Sequence, residues 1–311
     1  MIATFPAFSR LTLADREEYE SFTKDFPPQS DISFTSLMIW WNSLGGLAVS
    51  RLNGNLVISY WLPGDEARSG LSLVGDQSVD ESICTIFDYL RERGEKPRLV
   101  NVPDFVVNNM RYPEIFTFGV GAEGDEYLIP ISRFASLENM PAYMRIRARK
   151  FIRHFGEENV KVEKFNLKSA RNRQLLLDLT SGWPLKGINN INKLEREVLP
   201  VAVKLSPALG VKGAVVSVCG EIQALCLYFP TSHSEHAIIS HARVNYDIPR
   251  IFDYIVYAFS RHLAGEGYKY MNIHSDNGSP RMRTIKIALK PEGFFRKYTV
   301  EPSANKLAVF Q

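Results

Sequence analysis

An internal repeat is the feature that most restricts the fold of this 311-residue chain. In both halves the residue pattern predicts helices, a β-hairpin, a strand, a long helix, another strand and a short helix. The hairpins turn at Asn53-Gly54 and at Gly220, and the long helices end at Gly94 and Gly265. Asn-Gly between alternating strands is typical of a type I′ hairpin turn. Two copies of one α+β unit explain this order most economically.

The repeat also sets the expected domain boundaries. We expect a first unit over residues 1–135, whose last strand runs from Tyr127 to Ile131, and a second unit over residues 136–311. The second unit is expected to begin with a basic connecting helix over residues 136–156. In the first unit, a helix is predicted from Asp31 to Gly45 with Asp31 or Ser33 as its cap.

Composition excludes several classes of protein. With 45% apolar and 23% charged residues, the chain can bury large cores and is not disordered. A net charge of +3 is too mild to identify a nucleic-acid-binding protein, so phosphate contacts must come from local clusters. The three cysteines fit neither a zinc site nor a disulfide framework, as expected of a cytoplasmic protein. No apolar run is long enough for a transmembrane segment, so any membrane contact is expected to be peripheral.

The segment from Tyr268 to Lys290 carries the densest chemistry. It predicts a strand to His274, a turn over residues 275–278, and a helix that begins at Ser279-Pro280, because serine caps a helix and proline suits its first position. Helical spacing then aligns two stripes, an apolar one of Met282, Ile285 and Leu289 and a basic one of Arg283, Lys286 and Lys290. An acid, Asp276, a helix N-terminus and a basic stripe therefore lie in one place.

The order of elements in each unit resembles the GNAT acetyltransferase fold. This resemblance implies an α+β chain of two tandem GNAT-like units, each with a mixed, mostly antiparallel sheet flanked by helices. Members that use acetyl-CoA carry a glycine-rich loop before the helix that receives the pyrophosphate. The corresponding segment here, Arg243 to Arg250, has no glycine, and Asp247 would repel a phosphate. Ordinary CoA use is therefore disfavoured in the second unit.

A more specific resemblance is to the C-terminal domain of phosphatidylglycerol lysyltransferases, a tandem GNAT-like domain with the pattern N-x-E-x-D-x-G-x-x-G-L-R-x-x-K near its end. The residues that match this pattern are Asn272, Asp276, Gly278, Arg283 and Lys286, with Met282 in place of leucine. His274 departs from the glutamate and Arg281 from the second glycine. Downstream, Lys290-Pro291 and Lys297-Tyr298 also fit the family.

The resemblance extends over nearly the whole chain. Ser30 to Phe34 is similar to the S-D-x-S-F segment of the family, and Asp125-Glu126-Tyr127 matches a further segment. The basic helix with Arg147, Arg149, Lys150 and Phe151 falls where the family has similar residues.

The resemblance implies transfer of an aminoacyl group from aminoacyl-tRNA to a hydroxyl or amine of a lipid or small-molecule acceptor. No metal or redox cofactor is expected, because the aminoacyl ester is already activated and aminoacyl-tRNA is a co-substrate. Two alternatives remain: an acyl-CoA-dependent N-acyltransferase, with a CoA thioester as donor, and a non-catalytic binding protein on a GNAT-like fold, which the change to His274 favours. The amino acid, the acceptor and the oligomeric state are not specified by the sequence.

Residue roles follow from that chemistry as hypotheses. Asp276 is expected to bind the α-ammonium of the donor or to accept a proton, and Arg283 with Lys286 to hold phosphates or an oxyanion. His274 is a further acid/base candidate. Candidates for substrate binding are Asn272, His241, Asn245, Arg281 and Lys290. Candidates for RNA binding are Arg147, Arg149, Lys150 and Arg153. Asp276 also fits a turn-forming role, and the basic residues also fit solvated helix faces.

Overall fold

The computed structural model describes residues 1–44, 46–62, 64–121, 124–184 and 190–303. The strands are β1 Ala3–Thr4, β2 Ser9–Arg10, β3 Gly46–Leu52, β4 Asn55–Trp61, β5 Gly70–Val74, β6 Leu99–Pro103, β7 Phe116–Val120, β8 Glu126–Pro130, β9 Val160–Phe165, β10 Lys212–Val218, β11 Glu221–Pro230, β12 His236–Val244, β13 Tyr270–Ser275, β14 Gly293–Phe295 and β15 Lys297–Pro302. The helices are α1 Arg16–Thr23, α2 Phe34–Ile39, α3 Trp41–Leu44, α4 Val79–Glu92, α5 Asp104–Asn108, α6 Ala142–Phe155, α7 Ala170–Gly182, α8 Asn190–Leu209, α9 Ile251–Gly265 and α10 Pro280–Ala288.

The first sheet contains eight strands in the order β1-β3-β4-β5-β6-β15-β7, with β2 also paired to β3. β1 runs parallel to β3 and β5 parallel to β6, whereas β3, β4 and β5 are joined antiparallel. The last strand of the chain, β15, lies between β6 and β7 and is antiparallel to both. Helix α4 packs an apolar face that includes Ile83, Ile86 and Phe87 into the core of this unit.

The predicted hairpin at Asn53-Gly54 is confirmed. β3 and β4 pair antiparallel from Gly46 opposite Trp61 to Leu52 opposite Asn55. Asn53 and Gly54 have φ angles of 49° and 81°, the left-handed values that a type I′ turn requires. The hairpin therefore turns at the dipeptide that the sequence indicates.

The second sheet has the order β14-β8-β13-β12-β11-β10-β9. β12 and β13 are parallel and keep a paired register over only three residues, from His236 opposite Tyr270 to Ile238 opposite Asn272. Helix α6 packs on α9, and the rings of Phe151 and Tyr254 stack with centroids 4.6 Å apart. The expected α+β chain with mixed sheets flanked by helices is confirmed.

The two compact units are discontinuous in sequence. The first contains Met1–Tyr127, Ser275–Leu289 and the chain from Phe294 on, and the second contains Leu128–His274 and Lys290–Gly293. Helix α10 and strand β15 thus fold with the first half of the chain. The contiguous division between residues 135 and 136 remains a prediction that follows the order of the repeat.

The helix predicted from Asp31 to Gly45 is wrong in detail. The segment forms a 3-10 turn at Ser30–Ile32 followed by α2 and α3. Ser33 precedes α2 in an extended conformation and makes no capping hydrogen bond through its side chain. The physical reason is tertiary: the backbone N–H groups of Ser30 and Asp31 donate to the buried carboxylate of Glu126.

Candidate active site in the first compact unit

Asp276 is the centre of the site. It is 1% exposed, and its Oδ2 accepts hydrogen bonds from the hydroxyl of Tyr127 at 2.6 Å and from Nε of Arg283 at 2.8 Å. Its Oδ1 accepts from the backbone N–H of Gly278 at 2.9 Å and from Nη2 of Arg283 at 3.3 Å. Asp276 therefore holds a tyrosine, an arginine and its own turn in a fixed geometry.

Local sequence explains how Arg283 reaches Asp276. β13 ends at Ser275, and the turn that follows closes with Ser279 N–H donating to the carbonyl of Asp276 at 3.0 Å. Ser279 then caps α10, its hydroxyl accepting from the N–H of Met282, and Pro280 occupies the first turn, as the sequence predicts. This start places Arg283 in the first turn of the helix, facing back to the end of the strand.

The pKa values show which protonation states Asp276, Tyr127 and Arg283 stabilise in one another. Burial acts to raise the pKa of Asp276, but hydrogen bonds from Arg283 and Tyr127 outweigh it, so that the pKa is lowered and the carboxylate stays ionised. Burial and the bond to Asp276 raise the pKa of Tyr127 to about 12, which keeps the phenol protonated. The bond to Asp276 raises the pKa of Arg283. Asp276 is therefore an anchor with four hydrogen bonds and a poor proton acceptor.

Lys286 is the buried cation of the site. Its side chain lies inside the unit, and Nζ donates to the carbonyl of Ser275 at 2.7 Å and lies 5.6 Å from the ring centroid of Tyr127. Burial lowers the pKa of Lys286 to about 7. A lysine with this pKa is partly neutral at physiological pH, so it can accept a proton, which an exposed lysine rarely does.

A second set of buried ionic groups surrounds this lysine. Glu126 is fully buried, and its carboxylate accepts the N–H groups of Ser30 at 2.7 Å and Asp31 at 3.2 Å. Lys297, which is 1% exposed, forms an ion pair with Asp31. The charges of Glu126 and Lys297 act on Lys286 in opposite directions, the first raising and the second lowering its pKa. The S-D-x-S-F segment thus contributes its backbone and one carboxylate to the same unit.

Carboxylates and cations are equal in number among these groups. The acids are Asp31, Asp125, Glu126 and Asp276, and the cations are Arg283, Lys286, Arg296 and Lys297. Burial raises the pKa of Asp125, and the cations near it are Arg296, Lys297 and Arg283. When Lys286 is neutral, the site therefore carries an excess of negative charge. Such a balance favours a ligand with an ammonium group.

Gly124 packs directly against the anchor, and this contact gives a test of the geometry. A Cβ at this position would lie 2.9 Å from Oδ1 of Asp276, and its φ is +73°. Gly94 has a φ of +72° but faces open space, so it is a matched control. We expect Gly124→Ala to lower the free energy of unfolding in urea by about 2 kcal/mol more than Gly94→Ala, because it displaces charged hydrogen bonds as well as straining the backbone. Equal losses would contradict the close packing of Gly124 on Asp276.

The remaining candidates near the motif lie in the second compact unit or on the surface. Asn272 is buried, and its Oδ1 accepts the N–H of His274, whose φ is 58°. His241 is also buried, and burial lowers its pKa to about 3, so it is neutral at physiological pH. Its Nδ1 lies 2.9 Å from the hydroxyl of Ser240. Roles for these residues in substrate binding or proton transfer remain predictions.

Three further candidates are placed by local structure. Asn245 lies in the loop between β12 and α9, where its Oδ1 accepts the N–H of Asp247 and its Nδ2 donates to Gln223 at 2.9 Å. Arg281 is exposed on α10. Lys290 is exposed with a φ of 52°, and its carbonyl accepts from Arg133. The stripe predicted for Arg283, Lys286 and Lys290 therefore divides, since only Lys286 is buried.

The four basic candidates on α6 also divide. Arg149 and Arg153 line an open groove of about 930 Å³ in the second compact unit, together with residues of β9 and α9 that include Tyr257 and Arg261. Arg147 turns to another side of the helix, where its Nε contacts Oδ2 of Asp253 at 2.8 Å. Lys150 is exposed and does not line the groove. The groove brings three arginines beside two tyrosines, Tyr254 and Tyr257, and its acids are Glu157 and Glu266.

Sequence reasoning assigned no role to several residues that complete these sites. In the first unit these are Tyr127, Glu126, Lys297 and Gly124, together with Asp31, which was predicted only as a helix cap, and in the groove they are Tyr257 and Arg261. Tyr127 begins the predicted strand and Glu126 directly precedes it, and an acid next to a buried strand is a signal because its burial needs compensation. Lys297 was indicated by the family resemblance at Lys297-Tyr298, whereas the α9 residues carried no comparable signal.

Within residues 1–44, 46–62, 64–121, 124–184 and 190–303, no group of three histidine, cysteine, aspartate or glutamate side chains is arranged to hold a metal ion. In the same ranges, none of the helices combines the length and the hydrophobicity needed to cross a bilayer.

The mixed sheets and flanking helices are those of a GNAT-like acyltransferase fold. The family model described as phosphatidylglycerol lysyltransferase, C-terminal, matches residues 26–286, and the chain belongs to this family. The expectation of a GNAT-like transferase is thereby confirmed. No curated protein matches the sequence.

Solved structures share the fold at low sequence identity. A conserved protein of unknown function from Bacteroides thetaiotaomicron has a TM-score of 0.77 and 23% identity, covering 97% of this chain and 100% of its own. The C-terminal domain of a putative lysylphosphatidylglycerol synthetase from Agrobacterium fabrum has a TM-score of 0.59 and 16% identity over 93% of this chain and 92% of its own. L-PGS from Bacillus licheniformis has a TM-score of 0.59 and 15% identity over 99% and 95%.

Proposed function

We propose that the protein transfers an aminoacyl group from aminoacyl-tRNA to a hydroxyl or amine on a lipid or small-molecule acceptor. The observation that carries this proposal is the arrangement in which buried Asp276 orients Arg283 and Tyr127 next to a lysine whose pKa is lowered to about 7. Membership of the phosphatidylglycerol lysyltransferase C-terminal family supports the reaction class.

The chemistry needs few groups. The acceptor oxygen or nitrogen attacks the ester carbonyl carbon, a new ester or amide bond forms, and the bond to the terminal ribose oxygen of the tRNA breaks. The proton lost by the acceptor ends on that ribose hydroxyl. No net oxidation occurs, and we retain as a proposal that no metal or redox cofactor takes part.

We assign the roles from burial and charge. Arg283 has a side chain that is 54% exposed while Asp276 holds it from behind, so its guanidinium can stabilise the oxyanion of the tetrahedral intermediate. Lys286, in its neutral form, is the group that takes up the acceptor's proton. The net negative charge that the site carries when Lys286 is neutral favours the α-ammonium of the donor. Asp276 positions these groups and, with its lowered pKa, does not serve as the base.

The loop between β12 and α9 argues against the CoA alternative. Its N–H groups are used internally: Asp247 donates to the side chain of Asn245 at 3.1 Å, and Ile248 donates to the carbonyl of Asn245 at 3.2 Å. Asn245 N–H itself donates to Gln223 at 2.8 Å. A pyrophosphate-binding loop instead directs such donors at the ligand.

Donor choice tests the proposal directly. We expect calorimetric titration to show binding of aminoacyl-tRNA and none of CoA at comparable concentrations. CoA binding without tRNA binding would favour the acyl-CoA-dependent N-acyltransferase. Binding of tRNA with no transfer to any acceptor would favour the non-catalytic protein that His274 suggests.

The groove gives a prediction for the RNA partner. We assign Arg153 and Arg261 to phosphate contacts and Tyr257 to stacking, because an open groove with cations and an aromatic ring suits a nucleic-acid strand. Arg153→Ala and Arg261→Ala are each expected to weaken tRNA binding and to lower the slope of log affinity against log salt by about 0.7 to 0.9.

The controls lie on the same unit. Arg171, exposed on α7, and Arg147, paired with Asp253, do not line the groove. Arg171→Ala and Arg147→Ala are expected to leave the salt slope nearly unchanged in fluorescence anisotropy. Equal effects from all four variants would indicate diffuse electrostatic attraction and would count against a groove-specific contact.

A further inference from the structure

The composition of α6 is unusual for a helix packed on the outside of a compact unit. Its 14 residues, AYMRIRARKFIRHF, include five arginines and lysines and no acid. Met144, Ala148 and Phe151 are buried, so one side of the helix is fixed in the core of the unit. The opposite side of the helix faces outward, and packing does not explain which residues lie on it.

Apolar side chains interrupt the basic residues on that outward side. Tyr143 is 50% exposed and Ile146 is 51% exposed, one turn apart. Lys150 and His154 continue the same stripe at helical spacing and are also exposed. An exposed tyrosine and isoleucine in line with a lysine form the pattern of a helix that lies at a membrane interface.

The first turn of α9 extends this surface. The ion pair between Arg147 and Asp253 joins α6 to that turn, and Arg147 remains 58% exposed while it neutralises the acid. Phe252, next to Asp253, is 39% exposed. The acid beside α6, Glu138, contacts Arg149 at 3.3 Å, on the groove side of the helix. The net positive charge of the outward stripe is therefore that of Lys150, because the charge of Arg147 is offset by Asp253.

We propose that this outward surface, formed by Tyr143, Ile146, Arg147, Lys150 and Phe252, docks the protein on an anionic bilayer. Basic side chains are attracted to anionic headgroups, and the interleaved apolar side chains gain by entering the boundary between headgroups and acyl chains. A nucleic acid would satisfy the cations but would give the aliphatic side chain of Ile146 no comparable partner. The surface is separate from the groove, and the inference does not depend on the transferase proposal.

Vesicle sedimentation with the full chain tests this inference. Vesicles of phosphatidylcholine alone are compared with vesicles that also contain phosphatidylserine, an anionic lipid chosen so that recognition of a phosphatidylglycerol acceptor does not contribute. We expect binding only to the anionic vesicles, weakened by salt. Lys150→Ala should weaken it about five-fold, since each basic residue near the surface contributes about 1 kcal/mol.

Removing the apolar side chains distinguishes binding to a bilayer from binding to another polyanion. Tyr143→Ser with Ile146→Ser should weaken vesicle binding about ten-fold or more, whereas Leu175→Ser, which removes an apolar side chain 45% exposed on α7, should have no effect. Because these side chains are exposed, circular dichroism should show an unchanged fold. Binding by the Asp276→Asn protein should match the wild type.

Three results would overturn the inference. The first is that the protein does not bind anionic vesicles. The second is that the double variant binds these vesicles as well as the wild type does. The third is that the double variant loses tRNA binding but keeps vesicle binding. The last result would make the same surface an RNA contact.

Discussion

Replacing Asp276 with asparagine is expected to lower the rate of aminoacyl transfer at least about 100-fold. The change removes the charge that holds Arg283 and replaces one acceptor oxygen by a donor, so that Arg283 and Tyr127 lose their common anchor. A displacement of reacting groups by about 1 Å can cost this much. Single-turnover kinetics with a labelled aminoacyl-tRNA measure the effect.

Two milder variants distinguish positioning from unfolding. Tyr127→Phe removes only the hydroxyl that donates to Asp276, and Arg283→Lys keeps the charge but loses the two-pronged contact with the carboxylate. Both are expected to fold and to lose about ten-fold or more in rate. Asp178→Asn changes an exposed acid on α7 and should have no effect. Full activity in the Asp276→Asn protein would contradict the anchoring role.

Lys286→Met is expected to slow transfer at least about 100-fold while making the folded protein more stable near neutral pH. The pKa of Lys286 is lowered from 10.5 to about 7 by burial. Between these two pH values the unfolded chain binds a proton that the folded chain does not, so the stability of the wild type rises with pH, by up to about 1.4 kcal/mol per pH unit. Methionine fills a similar volume and has no charge to bury.

The measurement is the difference in urea unfolding free energy between the two proteins from pH 7 to pH 10. We expect Lys286→Met to be the more stable protein at pH 7 and its advantage to shrink as the pH rises. In the wild type, the transfer rate should rise with pH through an inflection near 7 as the amine becomes neutral. Lys161→Met, at an exposed position on β9, is the control. Parallel stability curves for Lys286→Met and the wild type would contradict a buried amine with a lowered pKa.

Local signals in the sequence were sufficient for much of the fold. The Asn53-Gly54 turn and the Ser279-Pro280 helix start are determined by residues that are neighbours in the chain, and both are found as predicted. Such elements depend on backbone geometry and capping, which a few neighbouring residues in the sequence determine.

Long-range contacts account for what the sequence could not predict about the site. Asp276 is joined to Tyr127 across 149 residues, and Lys297 to Asp31 across 266. Helical spacing predicted the stripe of Arg283, Lys286 and Lys290, but only packing decides which of them is buried. The site residues Asp276, Arg283 and Lys286 come together in one unit, and their assigned roles remain proposals. The cytoplasmic location likewise remains a prediction.

The most direct test of the transferase proposal follows labelled amino acids from a pool of aminoacyl-tRNAs into a total extract of lipids and small metabolites, with the purified protein as catalyst. We predict that label enters a lipid or small-molecule product with the wild-type protein and does not with Asp276→Asn. Label that stays on tRNA, or that leaves it only as free amino acid at the uncatalysed rate, would contradict the proposed reaction.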